Sequence, residues 1–127
     1  MPKQHLNPRG MHTPNGYSHV VKTGDTIYLA GQVPIAPDGS LVGVGDPSAQ
    51  AEQIYQNLEN ALAAVGATLS DVVKTTTYII NPAYVEAVRE SRLRYFKENP
   101  PTSTLLVISQ LARPEFLMEI EAIAYVG

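Results

Sequence analysis

Apolar and polar positions alternate most clearly at the C-terminal end of the chain. In Phe116-Leu117-Met118-Glu119-Ile120-Glu121-Ala122-Ile123-Ala124-Tyr125-Val126 every second residue faces the same way if the segment is a strand. Phe116, Met118, Ile120, Ala122 and Ala124 then form one apolar face, suited to a core. Glu119 and Glu121 share the other face with Leu117 and Ile123. Two carboxylates among aliphatic side chains are costly to desolvate without a partner. That face therefore carries a nearby cation such as Lys74 or Arg113, opens into a cleft, or meets another subunit.

The rest of the chain divides by similar signals. Residues 1–16 read as an irregular arm or a short edge strand. Tyr17 to Lys22 and Thr26 to Val33 read as strands, with Thr23-Gly24-Asp25 as the hairpin turn between them. Asp46-Pro47 opens a helix by capping plus proline. Ile54, Leu58, Ala61, Leu62 and Val65 give that helix one apolar stripe, and Gly66 stops it. Asp71 to Ile80 is β-branched and reads as a strand. Asn81-Pro82 repeats the helix start, for a helix to about Lys97 that Pro100-Pro101 terminates. Thr102 to Leu111 and Phe116 to Val126 complete the order β-β-α-β-α-β-β. This predicts an α+β sandwich of one mixed sheet with both helices on one face. The uncovered face then needs self-association.

Composition narrows the function classes. A chain of 127 residues with 44% hydrophobic residues is one domain, 1–127, with a real core. Charged residues are only 17%, which suggests surface buried in an oligomer. The formal net charge of -3 and the lack of a basic patch argue against nucleic acid as a partner. The absence of cysteine excludes thiol catalysis and cysteine-held metals. His5, His12 and His19 lack the helical spacing of a metal pair, so no metal is expected. No apolar run has membrane length, and a soluble cytoplasmic protein is the expectation. Gly43-Val44-Gly45 lacks the third glycine of a nucleotide-binding turn and reads as a connection.

Four collinear segments resemble the RidA (YjgF-type) family of reactive intermediate deaminases. They are Tyr17-Ser18, Ile27-Tyr28-Leu29-Ala30-Gly31-Gln32-Val33-Pro34, Asp71-Val72-Val73-Lys74-Thr75-Thr76 and Glu119-Ile120-Glu121-Ala122-Ile123-Ala124. The resemblance implies a chorismate-mutase-like fold and a homotrimer with clefts between subunits. It also implies hydrolysis of enamines and imines to ketones and ammonia without metal or cofactor. It assigns Glu119 to the reacting water, Tyr17 to the cleft and Gly31 to a close backbone approach. The family's substrate-clamping arginine falls on Ser103 here. Ala30 replaces a serine, Leu105 replaces a cysteine, and Thr104 lies between Ser103 and Leu105. A serine hydroxyl cannot replace a bidentate guanidinium, so weak activity on amino-acid-derived 2-imino acids is expected. Two other functions remain: a non-catalytic ligand-binding or regulatory trimer, and a ribonuclease. Structural roles compete at each residue as well. Tyr17 is then a strand-start aromatic, Arg113 a solvated turn residue and His19 a surface or core histidine.

Overall fold

The computed structural model describes residues 2–127. A short strand, β1 (Gln4–Leu6), opens the chain and pairs antiparallel with β2 (Val20–Thr23). The N-terminal arm thus contains an edge strand, one of the two forms expected. A turn at Gly24-Asp25, with Gly24 at φ 58°, returns the chain into β3 (Thr26–Gln32). Only glycine adopts such a backbone without a Cβ penalty.

Helix α1 (Pro47–Ala63) starts as the sequence indicates. The Asp46 carboxylate accepts the Ala49 N–H at 3.1 Å, and Pro47 occupies the first turn. Its buried face carries Ala51, Ile54, Tyr55, Leu58, Ala61 and Leu62. Strand β4 (Val72–Ile79) follows. Asn81 then caps a 3-10 turn (Pro82–Tyr84) by accepting the Ala83 N–H, and this turn leads into helix α2 (Val85–Tyr95). The expected helix from Pro82 to Lys97 is therefore shorter at both ends, because the proline start is a tighter turn. Strand β5 (Thr102–Val107) pairs parallel with β4, with α2 as the crossover. Pairing stops at Val107, four residues before the expected end at Leu111. β6 (Met118–Tyr125) closes the sheet.

The sheet order is β1-β2-β3-β6-β4-β5. β6 lies inside it, antiparallel to both β3 and β4, which suits a strand without proline. One face carries Ile27, Leu29, Thr75, Thr77, Ile79, Met118, Ile120, Ala122 and Ala124, and all are buried. Both helices lie against this face, where α1 meets β3, β6 and α2. Among the described residues no helix lies on the opposite face. It presents Tyr28, Lys74, Thr76, Tyr78, Glu119, Glu121 and Ile123. The two glutamates stand where strand alternation puts them, on the uncovered side of the central strand.

Candidate active site

The ladder between β3 and β6 is interrupted where the site forms. Leu29 pairs with Ala122 and Gln32 with Ile120, so β3 carries one extra residue at Ala30-Gly31. Such a bulge re-aims the local backbone. Here it brings Gly31 under the Glu119 side chain. A Cβ built on Gly31 would overlap the Glu119 carboxylate. The close approach expected at this glycine is therefore made by the protein's own carboxylate.

Glu119 is half-buried, and burial first, then the negative charge of Glu121, pushes its carboxyl above the ordinary range. Among the described residues no cation pairs with it. Arg113 pairs with Glu115 at 3.6 Å. Glu121 instead accepts the Tyr78 hydroxyl at 2.8 Å, and this bond raises the Tyr78 pKa. Lys74 lines a separate hollow with Glu121, Tyr28 and Thr76 on the open sheet face. The two glutamates thus have different surroundings, although they stand two residues apart.

Glu119 lines a groove of about 400 Å³ with Tyr17, Ala30, Gly31, Val33, Ala112 and Phe116. The last two come from the connection between β5 and β6. Gln50 of α1 fixes that connection: its amide donates to the Glu115 carbonyl at 2.9 Å and accepts the Leu117 N–H at 2.9 Å. Tyr17 is 47% exposed. Burial and the nearby Glu119 charge raise the Tyr17 pKa, which keeps the phenol protonated. Behind it stands His19, edge-on at 5.7 Å between centroids. His19 is fully buried, a core histidine. Its Nε2 donates to the His12 carbonyl at 2.7 Å, and its Nδ1 accepts the Gln32 amide at 3.1 Å. These partners fix the orientation of the ring and tie the N-terminal arm to β3. Gln32 was not singled out from the sequence. A fully polar side chain in an apolar strand was its only signal.

A second cavity shares Tyr17, Val33, Ala112 and Phe116 with this groove and extends to His12 and Arg113. The Arg113 guanidinium lies over the Phe116 ring at 5.1 Å. The turn arginine therefore lines this second cavity and not the Glu119 groove itself, and it is paired to Glu115.

Ser103, Thr104 and Leu105 lie elsewhere. Ser103 pairs in register with Thr75 and Leu105 with Thr77, on the helix-covered face, and Leu105 packs against the core. Thr104 pairs with Thr76 and faces the open side. No single protomer therefore brings these three into the Glu119 groove. The strand register divides them between the two faces of an edge strand.

Comparison with known proteins agrees with this architecture. The family model described as Endoribonuclease L-PSP matches residues 9–126. A RutC family protein of Pyrococcus horikoshii is 36% identical over 109 residues, 86% of each chain. The 3-aminoacrylate deaminase RutC of Acinetobacter baylyi is 28% identical, over 99% of this chain and all of its own. A crystal structure of a Rid family protein of unknown function from Yersinia pestis superposes with a TM-score of 0.93 at 32% identity, covering 98% of this chain and 100% of that one.

Proposed function

Because the chain belongs to the YjgF/RidA family, whose model carries the description Endoribonuclease L-PSP, we propose that it is a deaminase-type hydrolase of enamines or imines. One observation carries the reading: a half-buried, unpaired carboxylate lies over a bulged glycine in a groove that also holds a protonated tyrosine. A relative across the whole chain named for deaminating 3-aminoacrylate supports the same reaction class.

The chemistry asks little of the protein. An imine carbon is already electrophilic, and an enamine becomes an imine by protonation at carbon. Glu119 takes a proton from a water positioned in the groove as the water oxygen bonds to the imine carbon. The same proton passes to nitrogen to give a carbinolamine; Glu119 then carries the hydroxyl proton to nitrogen as the carbon–nitrogen bond breaks, so ammonia leaves and a carbonyl remains. A carboxyl raised by burial exchanges a proton near neutral pH more readily than an exposed one. Tyr17 donates a hydrogen bond to the substrate, and the Gly31 backbone sets the distance to Glu119.

Position 103 is a serine, so the substrate is not the usual amino-acid-derived 2-imino acid. The assembly is a cytoplasmic homotrimer in which a neighbouring protomer covers the open sheet face, with Tyr28 47% exposed in the single chain. A panel of neutral and carboxylate-bearing imines tests the specificity. Wild type is expected to prefer neutral members, and Ser103→Arg to gain rate on the 2-imino acids. Wild-type turnover of 2-imino acids as fast as that of the neutral members contradicts this part of the reading. A non-catalytic ligand-binding trimer is the second reading, favoured by the serine at position 103. Ribonuclease activity is the third and weakest, since the net charge is -3 and no basic groove accompanies it.

A further inference from the structure

The chain holds six asparagines, and five of them are barred from a reaction that the sixth can undergo. The backbone nitrogen of the next residue attacks an asparagine side-chain amide when that nitrogen carries a hydrogen and the two groups can meet. Asn7, Asn81 and Asn99 each precede a proline, whose nitrogen has no hydrogen. Asn57 and Asn60 lie in α1, where the following N–H is taken up by the helix ladder. Their side chains are held as well. The Asn57 amide donates to the Val33 and Ile35 carbonyls at 3.1 and 3.0 Å, and the Asn60 amide to the Gly10 carbonyl at 3.3 Å. Asn15 precedes Gly16 and has none of these restraints. We propose that Asn15-Gly16 is a self-modification site, where Asn15 converts spontaneously to aspartate and isoaspartate beside the Glu119 groove.

The arm is anchored on both sides of this pair and free between. The His12 carbonyl accepts the His19 ring at 2.7 Å, and the His19 N–H donates to the Asn7 carbonyl oxygen Oδ1 at 3.0 Å. Residues 13–17 make no hydrogen bond to the rest of the described chain. Asn15 and Gly16 are both exposed. Gly16 stands at φ 82°, and a Cβ built on it would meet nothing within 4 Å. With no side chain beside it, its nitrogen is unshielded and its backbone turns readily toward the Asn15 amide.

The reaction needs only water. The Gly16 nitrogen bonds to the Asn15 side-chain carbonyl carbon, and the bond from that carbon to the amide nitrogen breaks. The Gly16 proton leaves with the amide as ammonia, and a succinimide ring remains. Water then adds to one of the two ring carbonyl carbons. The bond from that carbon to the Gly16 nitrogen breaks, and the nitrogen regains a proton. Opening at the side-chain carbon gives aspartate. Opening at the backbone carbon gives isoaspartate, whose main chain runs through the former side chain and is longer by a methylene. Either product puts a carboxylate where a neutral amide stood.

The position gives the change a consequence. Asn15 lines the cavity of about 750 Å³ that shares Tyr17, Val33, Ala112 and Phe116 with the Glu119 groove. The extra methylene of isoaspartate enters the backbone two residues before Tyr17 and displaces it. Aspartate adds a charge to a cavity that already holds Arg113 and Asp38, and leaves the backbone as it was. Turnover therefore falls with the isoaspartate form. That consequence rests on Tyr17 acting in the proposed hydrolysis, whereas the covalent change does not.

The full-length protein is aged in mildly alkaline buffer and followed by isoelectric focusing, by mass mapping of the tryptic peptide 10–22 and by isoaspartate-specific methylation. An acidic species is expected, with the amide-to-acid mass gain confined to that peptide and isoaspartate present. Asn15→Gln should acidify roughly tenfold more slowly or not at all, because its longer side chain closes a less favourable ring. Asn15→Asp should keep turnover within about twofold of fresh wild type, since an exposed charge acts weakly. Aged wild type should lose turnover in proportion to its isoaspartate. The site is overturned if peptide 10–22 keeps its mass, if the acidic species maps to another asparagine, or if Asn15→Gln acidifies as fast as wild type. Full turnover by the isoaspartate form overturns the link to Tyr17. Mass and charge are read without substrate, so a protein inactive on every imine still tests the site.

Discussion

At the scale of single residues, the proposed chemistry rests on the pairing of Gly31 with Glu119. Glu119 has its carboxyl pushed up by burial, so the folded chain holds that proton more tightly than the unfolded chain does. Charging the group therefore costs stability. The cost is absent below the ordinary carboxylate range and complete above the raised value. Glu119→Gln removes it, so its thermal midpoint should exceed that of wild type near pH 7, and the gap should close toward about pH 4. A gap of equal size at both values contradicts the assignment. Gly31→Ala separates site from fold. The new methyl meets the tip of a flexible side chain, so the fold should lose only about 1 kcal/mol. The displaced carboxylate should lower hydrolysis by roughly tenfold or more. Thermal melts and initial rates on the same sample check both halves. The sequence shows that a glycine in an apolar strand admits a close neighbour. It does not show which neighbour, because the bulge that aims Gly31 at Glu119 arises only when β3 pairs with β6.

Among the elements, local signals located most of the fold. Asp46-Pro47 starts α1, Asn81-Pro82 starts the turn into α2, and the β-branched run from Val72 to Ile79 is a strand. Each of these depends on neighbouring residues alone. Features that depend on distant partners were less legible. The far end of β5 is one: pairing stops at Val107, beyond which the chain crosses toward α1 instead of following β4. The faces of Ser103, Thr104 and Leu105 are another, since a strand's alternation is clear from sequence but its phase against the sheet is not. The buried Gln50 shows what such distant contacts do. It bonds the Gly43 carbonyl at 3.0 Å as well as Glu115 and Leu117, and so joins α1 to the wall of the groove. Gln50→Leu would leave these backbone groups without partners. Denaturant unfolding should show a loss of about 2–4 kcal/mol. A loss below about 1 kcal/mol would mean that solvent reaches these groups.

For the molecule as a whole, an uncovered sheet face with Tyr28, Ile123 and the Glu121–Tyr78 pair requires a cover, and a second copy of the chain is the simplest one. Sedimentation should give a mass near three times the 13.8 kDa of one chain. Tyr28→Glu, which sets a charge in that face, should shift the sample to lighter species. A lone-chain mass for wild type at micromolar concentration contradicts the assembly. The central claim is nevertheless about one carboxylate. Ammonia release from a freshly generated neutral enamine, measured against the uncatalysed rate with wild type and Glu119→Ala at equal concentration, tests it directly. The account predicts a clear acceleration by wild type and none by the variant. Equal acceleration by both proteins, or none by either across the panel, would contradict it.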